Sequence, residues 1–207
     1  HNIGVTNDVQ TNYDDEFADE LSFEITEQFV ANCSTCDPWT ANTDAGTLLD
    51  DFTDWGSSAN GFNFAHDIGS LWTGRDFAGS TVGIAWLGAV CTQIRYNCLS
   101  DFTSNANFKR VMTAHEIGHN FDAFHDASGS PHIMAPSVQN TNSWSSNSIN
   151  DIENFYNNIN CLGTCSSSTA PNAVSDFNII ENCVVGQVNF SDQSTGTIVS
   201  RLWEFPG

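Results

Sequence analysis

The stretch TAHEIGHNFDAFHD, residues 113–126, constrains this chain more than any other. His115 and His119 stand four apart, so on a helix both imidazoles project from one face, close enough to grip one ion. Glu116 lies beside them and can reach a water on that ion without ligating it. His125 can join the same ion only if the helix ends and the chain doubles back just after Phe121. Asp122 sits at that reversal. Asp and Asn are the non-glycine residues that best tolerate left-handed geometry. The expectation is therefore a positive φ at Asp122, with its carboxylate off the ion.

A bare HExxH pattern arises by chance on surface helices, so its neighbours matter. Here the third histidine completes HExxHxxxxxH, Asp126 follows it, and IMAP (133–136) places Met134 in a tight turn before Pro136. Three histidines suit zinc and leave its fourth position open, as catalysis requires. Zinc lowers the pKa of a bound water to about 7, and a neighbouring carboxylate can take the proton as water attacks a carbonyl.

Composition narrows the partners. The 207 residues carry 25 acidic and 5 basic side chains, a formal charge of -20, which repels phosphate backbones and argues against nucleic acid. Hydrophobic residues at 40% suffice for a core. No apolar run approaches the roughly 18 residues of a membrane helix. The chain starts at His1 with no visible signal peptide, which fits a processed, exported protein. Of seven cysteines, Cys33–Cys36 alone has CxxC spacing, too little for a zinc ribbon.

Periodicity predicts a helix in residues 9–21 and a strand over 22–31. Further helices are expected at 47–56, 108–121 and 145–159, the last capped by Ser145 or Ser146. Residues 79–91, glycine-rich and β-branched, read as an edge strand. SSSTAPNA (166–173) is a linker by composition, and only β structure is expected beyond it.

The segment 113–136 resembles the adamalysin/reprolysin family of metzincin metalloproteases. The resemblance implies an α+β metzincin fold over 1–165: a twisted mixed sheet, an active-site helix and a methionine turn. It implies His115, His119 and His125 as zinc ligands, Glu116 as general base and Met134 as the methionine of the turn. TVGIAWLGAVC (81–91) resembles the family's substrate-binding edge strand, so Thr81, Val82, Gly83, Ile84, Ala85, Trp86, Leu87 and Gly88 would pair with an extended peptide. Asp122 stands where the family has a glycine. The family also opens with a strand that HNIGV (1–5) is too short to supply, so that strand is expected to lie outside this chain.

The resemblance further implies a calcium site remote from zinc, using Asp67, the Cys161 carbonyl and Thr164, where the family has an Asn; otherwise Asp67 caps a following helix. It implies a Cys91–Cys161 disulfide. Cys98–Cys165 and Cys33–Cys36 are plausible remaining pairs, although spacing alone does not fix connectivity. Residues 174–207 resemble the first half of a polycystic-kidney-disease-type (PKD) β-sandwich, a truncated all-β tail carried by VNFSDQSTG and LWEFPG. Together these features point to a secreted, monomeric zinc endopeptidase acting on proteins or peptides. The alternatives are an inactive protease-like adhesion protein and a zinc hydrolase of a non-peptide substrate.

Overall fold

The structure is a computed structural model that describes residues 2–17, 20–31, 36–163, 175–180 and 187–192; for 2, 3 and the last two segments it describes the backbone alone. The chain divides into two units, residues 1–163 and 164–207.

Helix α1 (Asn2–Phe17) begins earlier and ends sooner than expected, and residues 2–5 belong to it rather than to a strand. Val5, Val9, Tyr13 and Phe17 recur every four residues and are buried, which makes this helix one wall of a core. That core also takes in Ala114, Ile117 and Phe121 from the histidine-bearing helix, with Met134, Trp144 and Ile152. The Tyr13 hydroxyl donates to the Ala114 carbonyl at 3.2 Å, and the Trp144 indole donates to the Asn12 carbonyl at 3.2 Å.

Residues 22–31 form no strand despite their alternation. Gln10 takes the backbone at the start of this segment: Phe23 N donates to Gln10 Oε1 and the preceding Leu21 carbonyl accepts from Gln10 Nε2. Helix α2 (Ala45–Gly56) starts where Asp44 accepts from Thr47 N.

A three-stranded sheet follows, in the order β1-β3-β2. Strand β1 (Gly69–Thr73) runs parallel to β3 (Tyr96–Ser100), pairing Gly69 with Tyr96. Strand β2 (Gly83–Ala85) is antiparallel to β3 and lies at the sheet edge, pairing Gly83 with Leu99 and Ala85 with Asn97. The edge position agrees with expectation, but the strand is three residues rather than eight. Of the expected pairing segment, Thr81, Val82, Trp86, Leu87 and Gly88 lie outside it.

Leu71, Tyr96 and Cys98 pack with Leu48, Leu49 and Phe52 of α2 in a second core. The opposite face of the sheet meets α3 (Ala106–Asn120), through Asn97 bonded to Asn120. Helix α4 (Ser146–Asn158) is capped by Ser145, which accepts from Ser148 N at 3.1 Å.

Cys91 and Cys161 form the disulfide the resemblance implied. The Cys98–Cys165 pairing is overturned: Cys98 is free and wholly buried in the middle of β3. Burial, and then the charge of Glu116, push its thiol pKa up. Cys36 is disulfide-bonded, while Cys33 lies outside the described residues. In the second unit β4 (Ser175–Ile180) pairs antiparallel with β5 (Gln187–Asp192).

Candidate metal centre

Helix α3 ends in a Schellman motif, which explains how the third histidine returns. Asp122 N donates to the His119 carbonyl at 2.9 Å and Ala123 N to the Gly118 carbonyl at 3.0 Å. Between them Asp122 takes φ 70°, the left-handed value expected of it. Its carboxylate turns away from the histidines toward Gly88, and burial, then the charge of Asp151, raise its pKa.

The reversal brings His125 back over the helix. Its Nε2 lies 3.1 Å from His115 Nε2 and 3.1 Å from His119 Nε2. His115 Nδ1 is 2.8 Å from the Ile133 carbonyl, and His119 Nδ1 is 2.7 Å from the Ala123 carbonyl. A carbonyl only accepts, so both Nδ1 atoms carry the hydrogen and both Nε2 atoms present lone pairs to a common point. Burial, then neighbouring imidazole charge, holds His115 down at about 3. Burial is likewise the leading cause that lowers His119 to about 4, so both rings stay neutral at neutral pH.

His125 Nε2 faces both lone pairs at 3.1 Å, where a proton on it or a cation shared by all three rings offsets their repulsion. Tetrahedral zinc with bonds of about 2.0–2.1 Å sets its nitrogens roughly 3.3 Å apart. The donor set therefore fits zinc in type, tautomer and spacing. Among the described residues this is the one group of three His, Cys, Asp or Glu side chains close enough to share an ion.

Glu116 sits beside the cluster, 5% exposed, and burial pushes its carboxyl up to about 8. Its Oε2 is buried without a hydrogen-bond partner. Below the histidines, Met134 is fully buried in a turn, where Ala135 N donates to the His132 carbonyl. A side chain at Gly118 would meet Met134 Sδ at 2.8 Å, so the glycine lets the sulfur reach the helix backbone. Asp126 anchors the returning segment: its N donates to the Met134 carbonyl at 2.9 Å, and Oδ1 accepts from Ser145 Oγ at 2.6 Å.

Some supports carry no motif. Asn120 Nδ2 donates to the Trp86 carbonyl at 2.9 Å and the Tyr96 carbonyl at 3.2 Å, tying the helix end to β3 and to the residue just after β2. Its Oδ1 accepts from Asn97 at 2.8 Å. No sequence signal marked either asparagine, since the strand that carries Asn97 was itself not expected.

Asp67 lies beside the disulfide, its Oδ1 3.2 Å from Cys91 Sγ, and strand β1 rather than a helix follows it, so the expected helix cap is overturned. It belongs to no group of ligating side chains among the described residues, and Thr164 lies outside them. The calcium expectation finds no support. His66 bonds Phe64 and Tyr96, away from the centre.

A helix-borne histidine pair, a third histidine returned by a left-handed cap and a buried glutamate between them make a cluster compatible with zinc, in the HExxH pattern. The chain belongs to the reprolysin-like metallopeptidases of family M12B, whose family model matches residues 1–203. That match takes in most of the segment likened above to a PKD module. Snake venom metalloproteinase TM-1 of Protobothrops mucrosquamatus is 29% identical over 152 residues, 70% of this chain and 75% of that protein. Zinc metalloproteinase recombinant fibrinogenase II of Deinagkistrodon acutus is 33% identical over 108 residues, and barnettlysin-1 of Bothrops barnetti 31% over 100. Those two matches span 46% and 50% of the relatives' own lengths.

Proposed function

We propose that this chain is a secreted zinc endopeptidase acting on proteins or peptides. The observation that carries the reading is the convergence of three Nε2 atoms, two with their Nδ1 hydrogens already committed to carbonyls. His115, His119 and His125 would hold the ion, and zinc, when bound, supplies an acidified water and a Lewis acid for the scissile carbonyl. Glu116 receives the attacking water's proton and passes it to the leaving amine. Its burial excludes bulk water from the transfer, and a nearby dication would favour its carboxylate form. Met134 forms the floor of the site, packed on Gly118. Ile133 holds the ring of the first histidine and Asp126 anchors the segment that carries the third.

Strand β2 and its flanks, residues 81–88, would pair with an extended substrate and present its carbonyl to the centre. The edge position of β2, packed against α3, supports this role. The charge of -20 disfavours nucleic acid, and among the described residues no helix is long and apolar enough to cross a membrane. The Cys91–Cys161 disulfide and the venom relatives support export. We read residues 1–165 as the catalytic domain, acting as a monomer, 166–173 as a linker and 174–207 as a β module.

The test is hydrolysis of casein by zinc-replete protein. Wild type should cleave and Glu116→Ala should not, at equal zinc content. Equal, negligible activity in both would favour a protease-like binding protein.

A further inference from the structure

Gly83 occupies the edge strand opposite Leu99, and nothing about its backbone requires glycine, since it is not among the positive-φ residues. Its neighbours Ile84 and Ala85 carry side chains in the same strand. What singles out position 83 is space on the α3 side. A Cβ there would lie 2.3 Å from Glu116 Oε1, 2.8 Å from Cδ and 2.8 Å from Cγ. Real Cβ contacts are never so short, so any side chain at 83 must displace Glu116. The carboxyl is packed directly onto the Cα of the strand proposed to hold the substrate.

We infer that Gly83 is a positioning residue for Glu116: the absent side chain admits the carboxyl to the seam between helix and edge strand, and thereby sets its distance from the peptide lying there. This deepens, and rests on, the endopeptidase reading. Register explains why the position is specific. Gly83 pairs with Leu99 and shares a face with the Ala85–Asn97 pair two residues along, whereas the intervening Ile84–Cys98 pair belongs to the α2-facing core. Strand side chains alternate faces, so position 83 addresses α3 while its backbone edge stays free for pairing. Substitution should accordingly disturb the chemical step more than substrate binding.

The test uses zinc-loaded wild type, Gly83→Ala and Gly74→Ala, the last a control glycine with nothing within 4 Å of its Cβ position. On a quenched peptide, Gly83→Ala should lose about 100-fold in kcat, since misplacement by about 1 Å carries such a loss. KM and zinc content should stay near wild type, and Gly74→Ala should match wild type throughout. Gly83→Ala should also lower Tm by about 2–4 °C when Glu116 is present, and much less in a Glu116→Ala background, where the clash is gone. An unchanged kcat, or an equal Tm loss in both backgrounds, overturns the inference. A wild type that cleaves nothing removes the endopeptidase reading and this inference with it, whereas an active wild type with an unaffected Gly83→Ala removes the inference alone.

Discussion

Asp122 shows how a single residue can depart from a family pattern without breaking the site. At φ 70° it fills the cap position that glycine occupies at least strain. Asp122→Gly should therefore raise stability by about 0.5–1 kcal/mol in urea unfolding. Asp122→Val should lower it by more than 1 kcal/mol, roughly, and weaken zinc binding because the β-branched residue resists the turn that returns His125. Glu116 offers a second test at this scale. At pH 7 its carboxyl, held at about 8 by burial, keeps its proton in the metal-free protein, whereas His115 and His119, at about 3 and 4, have none to lose. Zinc binding should therefore release about one proton more from wild type than from Glu116→Gln. The difference should fade as pH rises through 8, because the carboxyl is by then already ionised. Calorimetric titration in buffers of different ionisation heat measures it; a difference that is absent at pH 7, or that grows with pH, would contradict the assignment.

At the scale of elements, two of the three histidines are held by carbonyls from beyond α3, His115 by Ile133 and His119 by Ala123. Ser145 caps α4 and also donates to Asp126, next to His125. Ser145→Ala should cost about 1–2 kcal/mol in thermal unfolding, and lower zinc affinity, which loss of an isolated cap would not do. The helices were readable in the sequence because their apolar periodicity, as in Leu48, Leu49 and Phe52, reports burial on one face. The sheet was not. Strand β3, YNCLS, is buried on both faces and shows no alternation, and β1 is only five residues long. Residues 22–31 erred the other way: their alternation was real, but side chains such as Gln10 took the backbone groups a partner strand would need. The convergence of the three histidines was legible because helical spacing fixes His115 and His119, and a turn-tolerant residue marks the return. Gly83, Asn97 and Asn120 were not, because their roles depend on which strand packs on which helix.

Across the whole first unit, the Cys91–Cys161 bridge spans a sequence separation of 70 and joins the segment after the edge strand to the residues after α4. Closing a loop of that length should contribute about 4 kcal/mol. Cys91→Ser/Cys161→Ser should lose most of that in urea unfolding, and a loss below about 1 kcal/mol would show that other contacts already restrain these ends. The free Cys98 predicts that denatured protein exposes a thiol that native protein shields from alkylation. Cleavage by this chain requires the three histidines to share one zinc. Elemental analysis after dialysis against trace zinc tests this most directly. Wild type should retain about one zinc per chain and His119→Ala far less; wild type with almost no zinc, or His119→Ala with an unchanged content, would contradict it.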